Sequence, residues 1–435
     1  MDIEARTIRK TAWRLLPLLL AAYLTAYINR VNIGFAIPMK DELGLSASVY
    51  GFGAGLFFIS YFFCEVPSNL MLEKIGARRW IARIMITWGI LAMAMALVTG
   101  VKSFYLVRFL LGAAEAGFYP GVLLYLTYWF PAAYRARMMA WFSVGIPLSL
   151  AITGPLSNLI MERLGGVLGL KDWQWLFIAE GAPTVLLALV VLSLLPDKPA
   201  NAKWLSDEER NWLTSRIIAE NKHIESVHST MGLFKAMTDG RTLALSFVYF
   251  TNVCCSYGVT FFLPQIIKDI GTSGSTANYL SSIPFVIGTI GILLFGELSD
   301  RFKARRKDIL AIGVSITAIG LIGAGSLGAT FASIALIAVA AIGTYGCKAP
   351  FWPLPSMFLT GAAAAAGIAS INAIGNLGGF VGPYAVGWVK DATGGYAGGL
   401  YMLGGLALCG AIVAALLKTP SHLPTAAAED AVEPA

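Results

Sequence analysis

The feature that most constrains this chain is a succession of apolar runs, each long enough to cross a lipid bilayer. A helix needs about 20 apolar residues to span the hydrocarbon core. The 435 residues leave room for about twelve such spans and their connections. Hydrophobic residues make up 57% of the chain, charged residues make up 13%, and the mean hydropathy is +0.69. A soluble domain could not hide so much apolar surface, so we expect an all-α membrane protein.

The distribution of Lys and Arg predicts how these spans are oriented. The predicted spans cover residues 13–37, 48–71, 80–100, 104–130, 138–161, 173–195, 242–268, 278–299, 308–328, 331–359, 366–390 and 395–418. Their connections carry 23 basic residues on one side and 6 on the other, which places both termini in the cytoplasm. The chain then divides into a six-helix half (1–195), a central loop (196–241), a second six-helix half (242–418) and a cytoplasmic tail (419–435).

The charge and the reactive residues exclude several classes of protein. The net charge of +7 does not indicate nucleic-acid binding, because the basic residues form short clusters between apolar runs. The five cysteines lack metal-ligand spacing, and the three histidines fall in the central loop or the tail. The chain has no phosphate-binding loop ending in Gly-Lys-Ser/Thr, which an ATP-driven pump would need. We therefore expect neither an enzyme nor a metal or cofactor site, and we expect a monomer in the bilayer.

The central loop carries one local signal. Ser206 and Glu209 have the spacing of a capping box and precede an apolar stripe. This pattern predicts a short helix on the cytoplasmic surface, although a simple linker between the halves is the plainer interpretation.

Ionisable residues inside the spans are the candidates for function, because charge at mid-membrane is costly. Three basic residues, Arg30, Arg108 and Lys348, fall within predicted spans. Glu115 lies seven positions after Arg108, so in a helix both point to nearly the same face, about 10 Å apart. Two interpretations are open: an ion pair that locks two helices together, or an anion and proton site inside a transporter.

Two segments of the first half recur in the second half. Glu73 and Arg78, after the second span, align with Asp300 and Arg305, after the eighth, at an offset of 300 − 73 = 227. Glu115 aligns with Lys348 at an offset of 348 − 115 = 233. A shared offset indicates two parallel halves with the site at their interface.

These motifs carry a family resemblance. The run Gly296-Glu-Leu-Ser-Asp300-Arg301-Phe-Lys-Ala-Arg305-Arg306, with its degenerate copy after the second span, resembles the major facilitator superfamily. The segments 27–36, 65–69, 204–210, 348–355 and 372–383 are similar to the anion:cation symporter family, including bacterial tartrate, phthalate and hydroxyphenylacetate permeases. The resemblance implies twelve helices in two pseudo-symmetric halves, in the bacterial inner membrane. It also implies import of an organic carboxylate with protons by alternating access; anion uniport or exchange without protons is the alternative.

The resemblance also implies roles for individual residues. It assigns Arg30 to a substrate carboxylate, Glu115 to the transported proton and Arg108 to tuning of that glutamate. Lys348 either serves a second carboxylate or phenolic oxygen of the substrate, or pairs permanently with Glu115. Further substrate-binding candidates are Tyr27, Tyr61, Asn372 and Asn376, although an Asn in a span often bonds a neighbouring helix. We expect a role in gating for five loop residues, whose contacts would form in one conformation and break in the other: Glu73, Arg78, Asp300, Arg301 and Arg305.

One residue departs from the family pattern. The family usually has aspartate immediately before the position of Arg30, whereas this chain has Asn29. Asn cannot carry a proton, so proton coupling rests on Glu115 alone or Asn29 is an inactivating substitution that traps one conformation. Both interpretations keep Asn29 among the site residues.

Overall fold

The computed structural model describes residues 3–226, 233–302, 305–359 and 361–417, and these residues form a bundle of α-helices. The first half and the loop contain α1 (Ile3–Val31), α2 (Ile37–Glu42), α3 (Ala47–Ile75), α4 (Ala77–Ala94), α5 (Val101–Glu115), α6 (Phe118–Trp129), α7 (Ala132–Ser143), α8 (Gly145–Leu164), α9 (Asp172–Leu194), α10 (Asp207–Ser226) and α11 (Leu233–Thr238). The second half contains α12 (Gly240–Lys268), α13 (Gly274–Leu280), α14 (Ser282–Arg301), α15 (Arg306–Leu327), α16 (Phe331–Gly346), α17 (Lys348–Phe351), α18 (Gly361–Asn376), α19 (Gly378–Thr393) and α20 (Ala397–Leu416).

Eleven segments of the described chain are long and apolar enough to cross a membrane, and they correspond to eleven of the twelve predicted spans. The remaining prediction, 366–390, falls on α18 and α19, which have 16 residues each. These two helices meet at Leu377, whose own backbone is helical. Together they reach about 50 Å at 1.5 Å per residue, which is enough to cross the hydrocarbon core.

The first span begins ten residues earlier than predicted, at Ile3 instead of residue 13. Hydropathy marks only the apolar part of a helix, and here the helix continues into a polar segment that has protein partners. Lys10 donates to Glu209 of α10 at 2.8 Å, and Arg6 lies 3.3 Å from both Glu208 and Glu209. These ion pairs extend α1 beyond the predicted boundary.

The helix predicted in the central loop is present as α10 and is longer than expected. Its capping box forms as predicted, because the Ser206 amide donates to Glu209 at 2.9 Å and the Glu209 amide donates to the Ser206 hydroxyl at 3.2 Å. Leu213 is fully buried, and Trp204 stacks on Trp129 of α6 at 5.7 Å. Thus α10 packs against the first half, so it is more than a linker.

The two ends of the bundle differ in how the halves meet. We call the end where α1 begins and α3 and α14 end the basic end, and the opposite end the far end. At the far end, α3 and α19 approach through glycine: a Cβ added to Gly51 would lie 2.3 Å from the Pro383 carbonyl oxygen. Likewise, a Cβ on Gly387 would lie 2.1 Å from the Ala47 carbonyl oxygen. Such contacts are possible only for glycine, so the halves touch here backbone to backbone.

Polar groups also join the halves at the far end. Asp391 of α19 accepts the first backbone N–H groups of α3, from Ala47 at 3.0 Å and Ser48 at 2.8 Å. Lys268 of α12 pairs with Asp41 of α2 at 2.8 Å. A carboxylate at a helix N-terminus satisfies amides that have no partner within the helix, so Asp391 caps a helix of the opposite half.

Towards the basic end the halves separate. Among the described residues, hydrogen bonds between the halves lie at the far end or near the middle of the bundle. The one nearest the basic end joins Asn372 of α18 to Glu65 of α3 at 3.3 Å, ten residues before α3 ends. The interface is therefore closed at the far end and parts towards the basic end.

Candidate functional site

A break in the fourth span positions Glu115. Helix α5 ends at this residue, and α6 begins at Phe118 after a turn in which Gly117 has φ = 86°. Glycine adopts this left-handed conformation without steric cost. A Cβ at Gly117 would also lie 2.3 Å from the Ser68 hydroxyl of α3, so the turn packs tightly on its neighbour. The break leaves the fully buried Glu115 carboxyl at a helix end in the middle of the bundle.

Arg30 is the salt-bridge partner of Glu115. Its Nε donates to Glu115 Oε1 at 3.1 Å, and its Nη2 contacts the same oxygen. Its Nη1 donates to the Tyr257 hydroxyl of α12 at 3.2 Å, and Tyr257 in turn shares a 2.9 Å hydrogen bond with Tyr27. One guanidinium therefore joins two spans of the first half to one span of the second half.

Aromatic rings surround the Arg30 guanidinium. Its central carbon lies 5.0 Å from the ring centroid of Tyr27, 5.1 Å from that of Phe57 and 5.5 Å from that of Tyr61. Rings at these distances attract a cation while excluding water. Within the described chain, Glu115 Oε2 has no hydrogen-bond partner. The site therefore holds a caged cation and a carboxylate with one oxygen still free to take a proton.

Arg108 does not form the salt bridge with Glu115. Its fully buried guanidinium donates to two backbone carbonyls of α3, from Nε to Gly53 at 3.4 Å and from Nη2 to Ala54 at 3.1 Å. It also lies 5.3 Å from the Phe57 ring. These contacts join α5 to α3 and support the ring that packs on Arg30, so the hydrogen bonds given for Arg108 are to backbone carbonyls of α3 and not to Glu115.

Lys348 occupies the corresponding break in the tenth span, where α16 ends at Gly346 and α17 begins. It is half-buried, and its Nζ lies 5.0 Å from the Tyr345 ring centroid. The salt bridge of Glu115 is with Arg30. The alternative in which Lys348 pairs permanently with Glu115 is therefore absent from this structure.

The three asparagine candidates take different positions. Asn29 turns away from the caged guanidinium and donates to Thr184 of α9 at 2.9 Å, between the first and sixth spans. Asn372 reaches across the halves to Glu65 at 3.3 Å. Asn376 is half-buried on the same helix, one turn further towards the far end.

The predicted gating residues all lie at the basic end. Glu73, Arg301 and Arg305 are exposed, and the Arg301 guanidinium lies over the Phe302 ring at 5.6 Å. Asp300 lies 3.9 Å from Arg306 of its own half. The Arg78 backbone amide donates to Asp197, at the start of the central loop, at 2.8 Å. None of these contacts joins one half to the other, and the gating role of these residues remains a prediction.

Sequence reasoning missed two residues of the site, Tyr257 and Phe57. Tyr257 could have been found from the repeat, because its offset from Tyr27 is 257 − 27 = 230, between the offsets of 227 and 233 in the aligned motifs. The two tyrosines meet at the interface of the halves as a symmetry-related pair would. Phe57 gave no signal that distinguishes it from other aromatic residues of the spans.

Comparison with known proteins decides the family. Residues 19–243 and 245–434 match the family described as Major Facilitator Superfamily. The chain belongs to the major facilitator superfamily. A relative from Agrobacterium vitis, named "Putative tartrate transporter", is 45% identical over 422 residues, which cover 97% of this chain and 93% of the relative. A relative from Acinetobacter baumannii, named "Quinolone resistance transporter", is 44% identical over 415 residues, which cover 95% of each chain.

A solved structure of the superfamily agrees in fold. The xylose transporter XylE from E. coli, in a partially occluded inward open conformation, superposes with a TM-score of 0.75 at 14% identity, covering 95% of this chain and 99% of that chain. The chain is therefore a multi-pass membrane transporter of this superfamily and not an enzyme. This confirms the predicted all-α major facilitator fold with its twelve spans.

Proposed function

We propose that this transporter imports an organic carboxylate together with protons by alternating access. The observation that carries the proposal is that Arg30 is caged at the interface of the halves and already holds a carboxylate, that of Glu115. A substrate carboxylate needs the same planar fork of N–H donors. The substrate and ionised Glu115 therefore compete for one guanidinium.

This competition couples the two fluxes. When a substrate carboxylate takes the Arg30 fork, Glu115 loses its cation inside a buried site. An uncompensated buried charge costs about 3–5 kcal/mol, so Glu115 takes up a proton as the anion binds. When the anion leaves, Arg30 is free again, and Glu115 releases its proton and restores the salt bridge. Binding of the anion and binding of the proton are thus linked and support each other.

The orientation follows from the positive-inside rule. The basic end carries most of the connecting Lys and Arg residues, so we place it and both termini in the cytoplasm of a cell with this protein in its inner membrane. A closed far end then corresponds to an inward-facing conformation. The Arg30–Glu115 salt bridge fits this conformation, because it is the arrangement expected after anion and proton have left.

The side chains near Arg30 favour a carboxylate that carries further polar groups. Arg30 supplies one fork for a carboxylate, and Lys348 supplies an ammonium from the second half. The Tyr27, Tyr61 and Tyr257 hydroxyls add donors and acceptors. A dicarboxylate or hydroxy acid would use all of these groups, and the relative named for tartrate transport supports this class.

Uptake into proteoliposomes tests the proposal. Labelled tartrate, galactonate, phthalate and 4-hydroxyphenylacetate are offered with and without an inward proton gradient, and a quinolone serves as competitor. We expect the gradient to drive accumulation of one carboxylate. Glu115→Gln should abolish gradient-driven accumulation but keep exchange of that carboxylate at equal concentrations, because Gln mimics the protonated acid. Asp308→Asn, an exposed acid of α15, is the matched control and should transport like the wild type.

The alternative function is anion uniport or exchange, and Asn29 favours it, because this position lacks the acid expected from the family. In that case the carboxylate would equilibrate across the membrane with the same final ratio whether or not a gradient is present. Uptake of a labelled quinolone without transport of any carboxylate would instead favour drug transport.

A further inference from the structure

A half-buried ammonium, that of Lys40 in α2, lies at the contact between the halves at the far end. Its Nζ donates to the side-chain oxygen of Gln265 of α12 at 2.8 Å, and the same oxygen accepts a second hydrogen bond from the Tyr396 hydroxyl at 2.8 Å. Gln265 and Tyr396 are both buried. Lys40 therefore reaches from the first half to the second half and is bound there to a neutral amide.

The acids close to Lys40 are held by other donors. Three of them interact with its charge: Asp41, Asp269 and Asp391. Asp41 pairs with Lys268 at 2.8 Å, and Asp269 pairs with Lys390 at 3.1 Å. Asp391 accepts the first two backbone N–H groups of α3. An ammonium has three N–H donors, so Lys40 can still bind an anion.

Lys40 and Arg30 contact the same face of α12. Tyr257, Phe261 and Gln265 are four residues apart, so they follow one another along that face at intervals of one turn. Arg30 donates to the Tyr257 hydroxyl at the first position, and Lys40 donates to Gln265 at the third. The contacts of the two cations are therefore two turns apart along α12, about 12 Å at 1.5 Å per residue.

Between the two cations the halves are closed by a polar contact. The Tyr50 hydroxyl of α3 lies 2.8 Å from the Ile33 carbonyl oxygen and 3.3 Å from that of Phe261. When the far end opens, α12 must leave these partners, and Gln265 must leave Lys40, because both contacts join opposite halves. The ammonium then faces the entrance that leads to the caged guanidinium.

Opening also separates the pair of Asp41 and Lys268, since this pair joins α2 to α12. Asp41 does not replace Gln265 as the partner of Lys40, because consecutive residues of a helix do not face each other. Lys268 is left as a second positive charge on the opposite side of the entrance. Two ammonium groups on facing sides suit an anion with two carboxylates.

From this placement we propose that Lys40 is an outer anion-binding residue, which receives the substrate carboxylate from the far side and passes it along α12 to Arg30. The inference rests on the carboxylate import proposed above and adds an entry site to it. Positive charge at the mouth of a cleft raises the local concentration of an anion and its association rate. The contact with Gln265 shields this charge while the far end is closed.

The test is uptake of labelled tartrate, or of the panel carboxylate that the wild type accumulates most, by intact cells. Lys40→Met should raise the KM about tenfold and change the maximal rate less than about twofold, because a charge-assisted hydrogen bond on the entry route is lost. Lys40→Arg keeps the charge and should keep the KM. Gln265→Ala removes the partner of the closed state but leaves the ammonium, so it should not raise the KM. Lys102→Met, at an exposed position, is the matched control.

A chemical rescue makes the test independent of folding. Lys40→Cys, in a background without cysteine, is treated in transporting cells with a methanethiosulfonate that adds either an aminoethyl or a sulfonatoethyl group. The aminoethyl group restores an ammonium and should lower the KM about tenfold, whereas the sulfonate should not lower it. A thiol that neither reagent reaches during transport would overturn the inference, because Lys40 must face the entrance.

The outcomes separate the two proposals. If cells with the wild type take up none of the carboxylates, the proposed function fails. If the wild type transports and Lys40→Met keeps the same KM, only the entry site is overturned. An equal rise of the KM in Gln265→Ala would also overturn it, because Lys40 would then serve to close the far end and not to bind the anion.

Discussion

The two halves of the molecule share one helical plan but differ in buried charge. The fourth and tenth spans both break at corresponding positions, and the first break carries Glu115 where the second carries Lys348. Among the Asp, Glu, Lys and Arg side chains in the described spans of the first half, four are buried: Arg30, Arg108, Glu115 and Glu180. Among the described residues of the second half no charged side chain is buried to that degree, and Lys348 is half-buried.

This difference shows how a repeated scaffold can acquire a coupled site. The backbone repeat places a helix boundary at both aligned positions, with a left-handed Gly117 in the first and a helical Cys347 in the second, and a symmetric contact between Tyr27 and Tyr257. The side chains at the breaks have diverged, so that the acid and its arginine stay together in one half. We infer that the first half carries the coupling chemistry, while the second half supplies one wall of the site and moves relative to it.

The largest effect is expected from Arg30→Lys. A lysine keeps the positive charge but cannot hold Glu115 or a substrate carboxylate through the planar fork. Loss of a charge-assisted hydrogen bond of about 1.5–3 kcal/mol should reduce uptake about 100-fold, measured as initial rate in proteoliposomes. Arg163→Lys, an exposed arginine at the end of α8, is the control. Near-normal uptake by Arg30→Lys would show that transport does not need the guanidinium fork of Arg30.

The contact between the halves is tested by Gly51→Ala. The new methyl group would lie 2.3 Å from the Pro383 carbonyl oxygen, so α3 and α19 must move apart. Overpacking of about 1–3 kcal/mol should shift the conformational equilibrium about tenfold or more towards an open far end. Spin labels at Lys102 and Ala392, in a background without cysteine, should report a longer distance. Gly405→Ala has open space around it and should leave the distance unchanged.

The contribution of the second half is tested by Lys348→Met. If Lys348 binds a second carboxylate, its loss should raise the KM for tartrate about tenfold, since a hydrogen bond to a charged group is removed. The KM for phenylacetate should change less, because phenylacetate has neither a second carboxylate nor a phenolic oxygen for the ammonium to bind. Lys102→Met, at an exposed position, controls for loss of surface charge. Equal changes for both substrates would assign Lys348 to packing.

The smallest effect concerns α10, which is tied to the first half through Glu209. Burial alone would raise the pKa of Glu209, but the hydrogen bonds from Lys10 and from the Ser206 backbone bring it below its usual value. The stabilisation is therefore present above the unfolded pKa of about 4.3 and is lost as the pH falls through the lower folded pKa. Glu209→Gln keeps the capping box and should lower the free energy of unfolding by about 1 kcal/mol or less.

Thermal unfolding of the purified protein measures this effect. The difference in Tm between the wild type and Glu209→Gln should be present at pH 7 and should shrink below about pH 4. A difference that stays constant at acidic pH would mean that packing, and not charge, connects α10 to α1.

Much of the fold could be predicted from the sequence, because the bilayer determines both the length of the apolar spans and the side on which Lys and Arg cluster. The boundaries that were missed are those set by protein contacts: α1 extends to Ile3 because Arg6 and Lys10 have partners on α10. The eleventh span is divided into two helices at Leu377, which a hydropathy pattern does not distinguish from a single helix.

The site was predicted less completely than the fold. The intramembrane residues Arg30 and Glu115 were identified individually, but the one permanent partner considered for Glu115 was Lys348, whereas the structure pairs Glu115 with Arg30 from another span. A partner across spans is set by tertiary packing and leaves no local pattern. Asp391 and Glu180 were missed for the same reason, since their hydrogen-bond partners lie on elements distant in sequence.

If the anion and Glu115 compete for Arg30, anion binding must be accompanied by proton uptake at Glu115. Calorimetric titration of the purified protein with the transported carboxylate, in two buffers of different ionisation enthalpy, gives the number of protons taken up per anion bound. We expect a value close to one for the wild type and close to zero for Glu115→Gln. Binding without proton uptake by the wild type, or equal uptake by both proteins, would contradict it.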